Sequence, residues 1–265
     1  MSTRKRFRSI RRLLCGGLIA LLAASGCASN KRDLKQEKRF KQAKSHFEIG
    51  VDHLKRGHYA VGLREFLTAE SLDPNNPKIH VGLAEAYLHR GRAAEAEAHF
   101  LRALEIYPEF HDARLNLSAL YLNTGRDEEA ADHARILVDD ATFPAVWRAL
   151  ANLGVAEIAQ GNYAEAREHL ELATEFNRKY WPALLTLGIL EHAEGRSREA
   201  IAYFQDALAQ KPTPSARAEA NYRMAEAYVS LGRRDKAVGH LMTAVAQTPD
   251  GDWGRKSEQY LEILR

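Results

Sequence analysis

The side chains with the most chemistry to offer in these 265 residues are two cysteines and eleven histidines. Cys27 follows Ala24, Ser25 and Gly26, so nothing bulky hems its thiol and an enzyme could enclose the surrounding chain tightly. Cys15 follows Leu14 inside an apolar run and lacks such neighbours. With one cysteine expected to leave with a leader, no pair remains and no disulfide is expected. The histidines form no ligand spacing in sequence. His46 and His53 lie two helical turns apart, too far to chelate together, and His53 and His58 straddle Gly57. They read as structural or surface residues, with no metal site. Asp127-Glu128-Glu129 reads as the acidic first turn of a helix, where negative charge complements the dipole. A P-loop, a G-x-S-x-G elbow, H-E-x-x-H and C-x-x-C are all missing from the sequence. The expectation is no enzyme, no catalytic residue, no cofactor and no small-molecule substrate.

The segment that presents Cys27 is a leader. Residues 1–12 carry Arg4, Lys5, Arg6, Arg8, Arg11 and Arg12 without an acid, and Leu13 to Ala24 are largely apolar. Twelve helical residues reach about 18 Å against a hydrocarbon core of about 30 Å, so the run is an export signal and not a span. Arg11-Arg12 lacks the rest of a twin-arginine signal. Setting the six basic residues aside turns the formal charge of +3 into −3, which removes any electrostatic case for nucleic acid. Ala24-Ser25-Gly26-Cys27 resembles the lipobox of bacterial lipoproteins, although Ala24 stands where leucine is usual. The resemblance implies acylation of Cys27, palmitate included, as the first mature residue, and hence a membrane anchor. Each buried methylene adds about 0.8 kcal/mol, so several chains hold firmly. An ordinary cleaved signal leaving Cys27 free is the alternative. In such lipoproteins aspartate after the cysteine favours retention in the inner membrane; Ala28 and Ser29 here imply the outer membrane, with the rest of the chain in the periplasm. Residues 27–42 form a basic tether, read as solvated, with contact to anionic headgroups as the sharper reading.

The remainder is built from one motif. Leu83, Ala84 and Tyr87 fall on one helix face, Gly91 opens a turn, Ala96, Phe100 and Ala103 fall on a second helix face, and Pro108 closes the unit. These residues match the 34-residue tetratricopeptide pattern, in which large side chains pack beside small ones. The register repeats with Gly50, Gly57 and Phe66; Leu117, Ser118, Tyr121 and Gly125; Leu153, Gly154, Gly161 and Leu170; Leu187, Gly188, Gly195 and Phe204; and Met224, Ala225, Tyr228, Gly232 and Leu241. The predicted organisation is a signal peptide at 1–26, an acylated Cys27 and tether at 27–42, and repeats at 43–76, 77–110, 111–146, 147–180, 181–217 and 218–251. The third repeat carries an extended break at Asp140 to Pro144 and the fifth an insertion at Pro212 to Ser215. Residues 252–265 are a capping helix, with Trp253, Tyr260, Leu261 and Leu264 on one face. No alternating strand-like segment appears. The fold class is all-α, a right-handed superhelical solenoid of six helix-turn-helix repeats, each burying its apolar face against neighbours.

In such arrays the first helix of each repeat lines the binding side. That face reads Phe47, Val51 and Leu54; Val81, Glu85 and Leu88; Leu115, Ala119 and Leu122; Ala151, Val155 and Ile158; Leu185, Ile189 and His192; Tyr222, Glu226 and Val229. Of these, Phe47, Val51, Leu54, Val81, Leu88, Leu115, Ala119, Leu122, Val155, Ile158, Leu185, Ile189 and Tyr222 are the predicted partner-binding groove, since contiguous apolar surface marks interaction sites. Neighbouring helices covering part of this row is the other reading.

Taken together, the lipobox, six repeats, the break from Asp140 to Pro144, Asn152-Leu153-Gly154 and Asn177 resemble the outer-membrane lipoprotein pilotins of type IV pili, the PilF/PilW/Tgl family. The resemblance implies a protein partner, the pilus secretin, whose outer-membrane localisation and multimerisation such proteins promote in support of pilus assembly and twitching motility. Only Cys27 carries over as a residue with a specific role. Some relatives have a cysteine pair in the array, which this chain lacks. A different periplasmic adaptor, serving peptidoglycan enzymes or outer-membrane protein assembly, is the competing reading.

Overall fold

A computed structural model describes residues 34–264; Cys27, the leader and the first part of the predicted tether lie outside the described residues. The described residues contain thirteen helices and no strand. The chain divides into two compact units, with the boundary between Pro108 and Glu109. The first contains α1 (34–55), α2 (Tyr59–Leu72), α3 (Pro77–Leu88) and α4 (Ala93–Ile106). The second contains α5 (His111–Asn123), α6 (Asp127–Val138), α7 (Val146–Ala159), α8 (Tyr163–Phe176), α9 (Trp181–Ala193), α10 (Ser197–Ala209), α11 (Pro214–Ser230), α12 (Arg234–Gln247) and α13 (Asp252–Ile263). No helix among the described residues is long and apolar enough to cross a membrane.

One turn recurs six times. Gly57, Gly91, Gly125, Gly161, Gly195 and Gly232 all take positive φ, between 69° and 82°, where a side chain would be strained. The residue after each glycine donates its N–H back to the carbonyl five residues earlier, as from Arg92 to Tyr87 at 3.0 Å and from Arg126 to Tyr121 at 2.9 Å. That bond satisfies a carbonyl at the end of the first helix and aims the chain into the second.

Within a pair, a bulky residue of the second helix meets glycine on the first. A Cβ at Gly188 would lie 2.4 Å from the Phe204 ring, and one at Gly154 would lie 2.6 Å from Leu170. Phe66 is flanked twice, by Gly50 and by Gly82, each with a virtual Cβ 2.7 Å from the ring. Phe66, Phe100 and Phe204 are fully buried. Removing such a ring costs about 3–5 kcal/mol, so these contacts fix the pairing. In the second unit the first helices also pack on one another, α5 on α7, α7 on α9, α9 on α11 and α11 on α13. The final helix covers its neighbour through Tyr222, whose ring centroid lies 5.3 Å from Trp253 and 5.9 Å from Tyr260.

The irregularities are ordered. After α6, Asp140 accepts from the Thr142 amide at 2.8 Å, from its hydroxyl at 2.6 Å and from His111 Nε2 at 2.7 Å. These bonds hold its carboxyl far down, at about 2. Phe143 is thereby turned into the core with Leu115, Leu137 and Ala149, and Pro144 lies two residues ahead of α7. The insertion near Pro212 becomes an added helical turn. α11 has 17 residues against 13 in α9, and Thr213 caps its N-terminus by accepting from the Ala216 amide at 3.3 Å.

The tether differs from expectation. Residues 34–42 are helical and belong to α1, whereas residues 27–33 lie outside the described residues.

Candidate partner-binding face

The side-to-side packing of α5, α7, α9 and α11 lines up equivalent residues of successive repeats. Leu115, Ala151 and Leu185 are buried, and Tyr222 is partly covered by the final helix. This row is core, which corrects its assignment to an open groove: first helices of adjacent repeats touch along it. One turn further, Ala119, Val155, Ile189 and Glu226 are half-buried, as are Leu122, Ile158, His192 and Val229 beyond them. Ala119, Leu122, Val155, Ile158 and Ile189 therefore make an apolar strip over three packed helices, bordered on α11 by Glu226.

The first unit is different. Phe47, Val51 and Leu54 pack on the cluster around Phe66, with the Phe47 and Phe66 ring centroids 5.7 Å apart. Val81 is buried, at 8% exposure, and only Leu88 is open, at 37%. Four of the five predicted groove residues there are therefore core or largely covered, because α1 turns its apolar side onto α2. Glu85 is exposed.

Polar groups between helices were not legible as a set from neighbouring residues. They recur at a spacing of 19 residues, which links a first helix to the second helix of its own repeat: His46 with Glu65 at 2.7 Å, His80 with His99 at 3.2 Å, Arg114 with His133 at 3.5 Å and His240 with Asn221 at 2.9 Å. Counting ligand pairs at that offset, and not only within one helix or turn, is the signal that would have found them. Burial holds the imidazoles of His99, His133 and His240 below their usual range. His53 and His58 do approach across the Gly57 turn, Nδ1 to Nδ1 at 3.5 Å, but the contact is solvent-exposed, with His58 open and His53 half-buried.

A second polar group sits where tyrosine is replaced. Glu191, 3% exposed, receives Arg167 of α8 and Arg196 beyond the turn, and Glu194 receives the same two guanidiniums. Although burial alone would raise it, those two arginines hold the Glu191 carboxyl below the usual range. Paired in this way, Glu191 ties α8, α9 and the entry to α10 together.

Tetratricopeptide repeat family models match residues 47–109, 91–153, 147–171 and 191–255. The chain is a tetratricopeptide repeat protein. No curated protein matches it by sequence. Among solved structures it is similar to PilF of Pseudomonas aeruginosa, at 18% identity and TM-score 0.66, over 84% of this chain and 99% of that one. It is similar to PilW, a widely conserved type IV pilus biogenesis factor, at 18% identity and TM-score 0.70, over 81% and 97%. A thermophilic repeat protein of Thermus thermophilus gives 26% identity and TM-score 0.62, over 70% and 98%. At these identities the likeness to PilF and PilW is one of fold. Repeats of this family serve protein–protein interaction, which directs attention to the apolar strip and away from chemistry.

Proposed function

We propose that the protein is an outer-membrane lipoprotein of the pilotin kind, anchored through acylated Cys27, which binds the type IV pilus secretin and promotes its localisation and multimerisation. The observation that carries the reading is the half-buried strip of Ala119, Leu122, Val155, Ile158 and Ile189 on directly packed first helices. An apolar segment of the partner laid across it would remove that surface from water, at about 25 cal/mol per Å². The anchor motif supplies the membrane destination and the strip supplies the grip. PilW acts in pilus biogenesis on a similar fold. No step of this role forms or breaks a bond in a substrate.

The test is crosslinking in intact membranes followed by purification and mass spectrometry. Wild-type protein recovers the secretin, whereas a Leu122→Asp, Ile189→Asp double variant loses it and keeps its helical circular dichroism and melting temperature. Cys27→Ser releases the product from the membrane fraction. Recovery of cell-wall hydrolases without secretin would replace this reading by a peptidoglycan-enzyme scaffold.

A further inference from the structure

Three side chains from three helices of the first unit converge on one point. Glu70 comes from α2, His80 from α3 and His99 from α4, each with one ligand atom facing the others. His80 Nδ1 lies 3.2 Å from His99 Nδ1 and 3.5 Å from Glu70 Oε1, and His99 Nδ1 lies 3.9 Å from Glu70 Oε1. A triangle with these sides has a centre about 2.1 Å from each corner, the bond length zinc makes to imidazole nitrogen and carboxylate oxygen.

The hydrogen-bond partners turn acceptor atoms towards the centre of this triangle. The carbonyl of Pro74 can only accept, and it lies 2.9 Å from His80 Nε2, so His80 carries its proton on that side. A neutral His80 ring then turns the Nδ1 lone pair towards Glu70 and His99, from a side chain only 4% exposed. Glu70 also presents a lone pair, so two acceptors 3.5 Å apart face each other. A single proton on His99 Nδ1 can serve only one of them, whereas a cation between all three serves both. Ligand histidines in metal sites have their second ring nitrogen held by a carbonyl or carboxylate, as Pro74 holds His80. His99 is braced by Tyr87, whose ring is stacked at 5.5 Å and 11°.

We propose that Glu70, His80 and His99 bind a divalent transition ion of the zinc class, pinning α2, α3 and α4 together. Two imidazoles and one carboxylate suit such ions, where hard cations prefer all-oxygen sets. Three protein ligands leave a fourth position, and the side chains of Glu70, 29% exposed, and His99, 20% exposed, open it to solvent. The site is independent of the strip on the second unit and of any partner there.

The experiment titrates Co(II) and then Zn(II) into the purified full chain after chelation and dialysis. The expected result is one Co(II) per chain with the intense visible absorption of tetrahedral coordination, displaced by one Zn(II), which also raises the melting temperature. Glu70→Gln weakens binding at least tenfold while keeping the helical spectrum and the metal-free melting temperature, and His99→Gln weakens it at least tenfold while keeping the helical spectrum. His53→Gln, in the exposed pair across the first turn, changes nothing. Weak binding indifferent to Glu70→Gln and His99→Gln, loss of binding in His53→Gln, or octahedral Co(II) only would overturn the assignment. Should His99→Gln fail to fold, Glu70→Gln alone decides.

Discussion

Repeats two, three and six and repeats four and five solve the same packing problem with different chemistry. In the first group the residue five before the post-glycine position is Tyr87, Tyr121 or Tyr228, and twelve residues on stands His99, His133 or His240, with ring centroids 5.3–5.6 Å apart. A cation then covers the tyrosine: Arg92 at 5.0 Å, Arg126 at 4.0 Å and Lys236 at 5.3 Å from the centroid. In the second group the slot holds Glu157 or Glu191. Glu157 accepts from His169 at 2.8 Å, again twelve residues on, while Glu191 takes Arg167 and Arg196 and has Tyr203 at the twelfth position. The backbone bond is unchanged, since the slot carbonyl accepts the post-glycine amide in both groups, at 2.8 Å from Asn162 and from Arg196. The turn therefore depends on glycine and the main chain, and the slot side chain is free to vary if its partners vary with it.

The largest effect is expected from breaking that coupling in one place only. Tyr121→Ala should cost about 3 kcal/mol in urea unfolding through the cavity it leaves. Glu191→Ala should cost about 2 kcal/mol, below the usual figure for a broken buried pair because Arg167 and Arg196 stay partly in water. Glu191→Tyr alone should also destabilise, since Tyr203 already fills the space, while Glu191→Tyr with Tyr203→His should recover about 1 kcal/mol of it. No coupling in that cycle would mean the two residues are independent and the comparison is empty.

A smaller effect separates the groups by pH. His133 and His240 are half-buried against tyrosine, and that burial is the first cause of their lowered pKa, followed by Arg114 and Lys236 respectively. The unfolded chain, with histidine near 6.5, takes up protons first. Stability is therefore level above about pH 6.5 and falls as pH drops through that value towards the lower folded pKa. His133→Gln with His240→Gln should flatten that fall by up to about 1 kcal/mol between pH 6.5 and 5. An unaltered slope in the melting temperature would refute the assignment.

The smallest effect lies at the break in repeat three. The Asp140 carboxyl, held at about 2 by Thr142 and His111, loses its bonds only as pH falls from the ordinary range near 3.8 towards 2. A carbon-detected NMR titration of Asp140 should place its midpoint near 2, and Thr142→Val should raise it.

The repeat register was legible because it rests on local rules. Gly57, Gly91, Gly125, Gly161, Gly195 and Gly232 stand where a left-handed turn residue is required, and the large-against-small pairs Gly154 with Leu170 and Gly188 with Phe204 lie at fixed offsets. The binding face was only partly legible, since a helical wheel shows which residues share a side but not which neighbour covers it. Leu115 and Leu185 share a side with Leu122 and Ile189, yet helix-to-helix packing buries the former pair and half-exposes the latter. The Glu70, His80 and His99 group was missed because its members lie 10 and 19 residues apart on three helices, a separation no single-helix spacing rule inspects.

In the proposed role the first-helix strip of the second unit holds a pilus secretin at the outer membrane. A photo-crosslinking amino acid placed at position 122 or 189, with position 172 on the outward side of α8 as control, tests it in living cells. Secretin adducts are expected from 122 and 189 and none from 172. Secretin adducts from 172 alone, or none from any of the three, would contradict it.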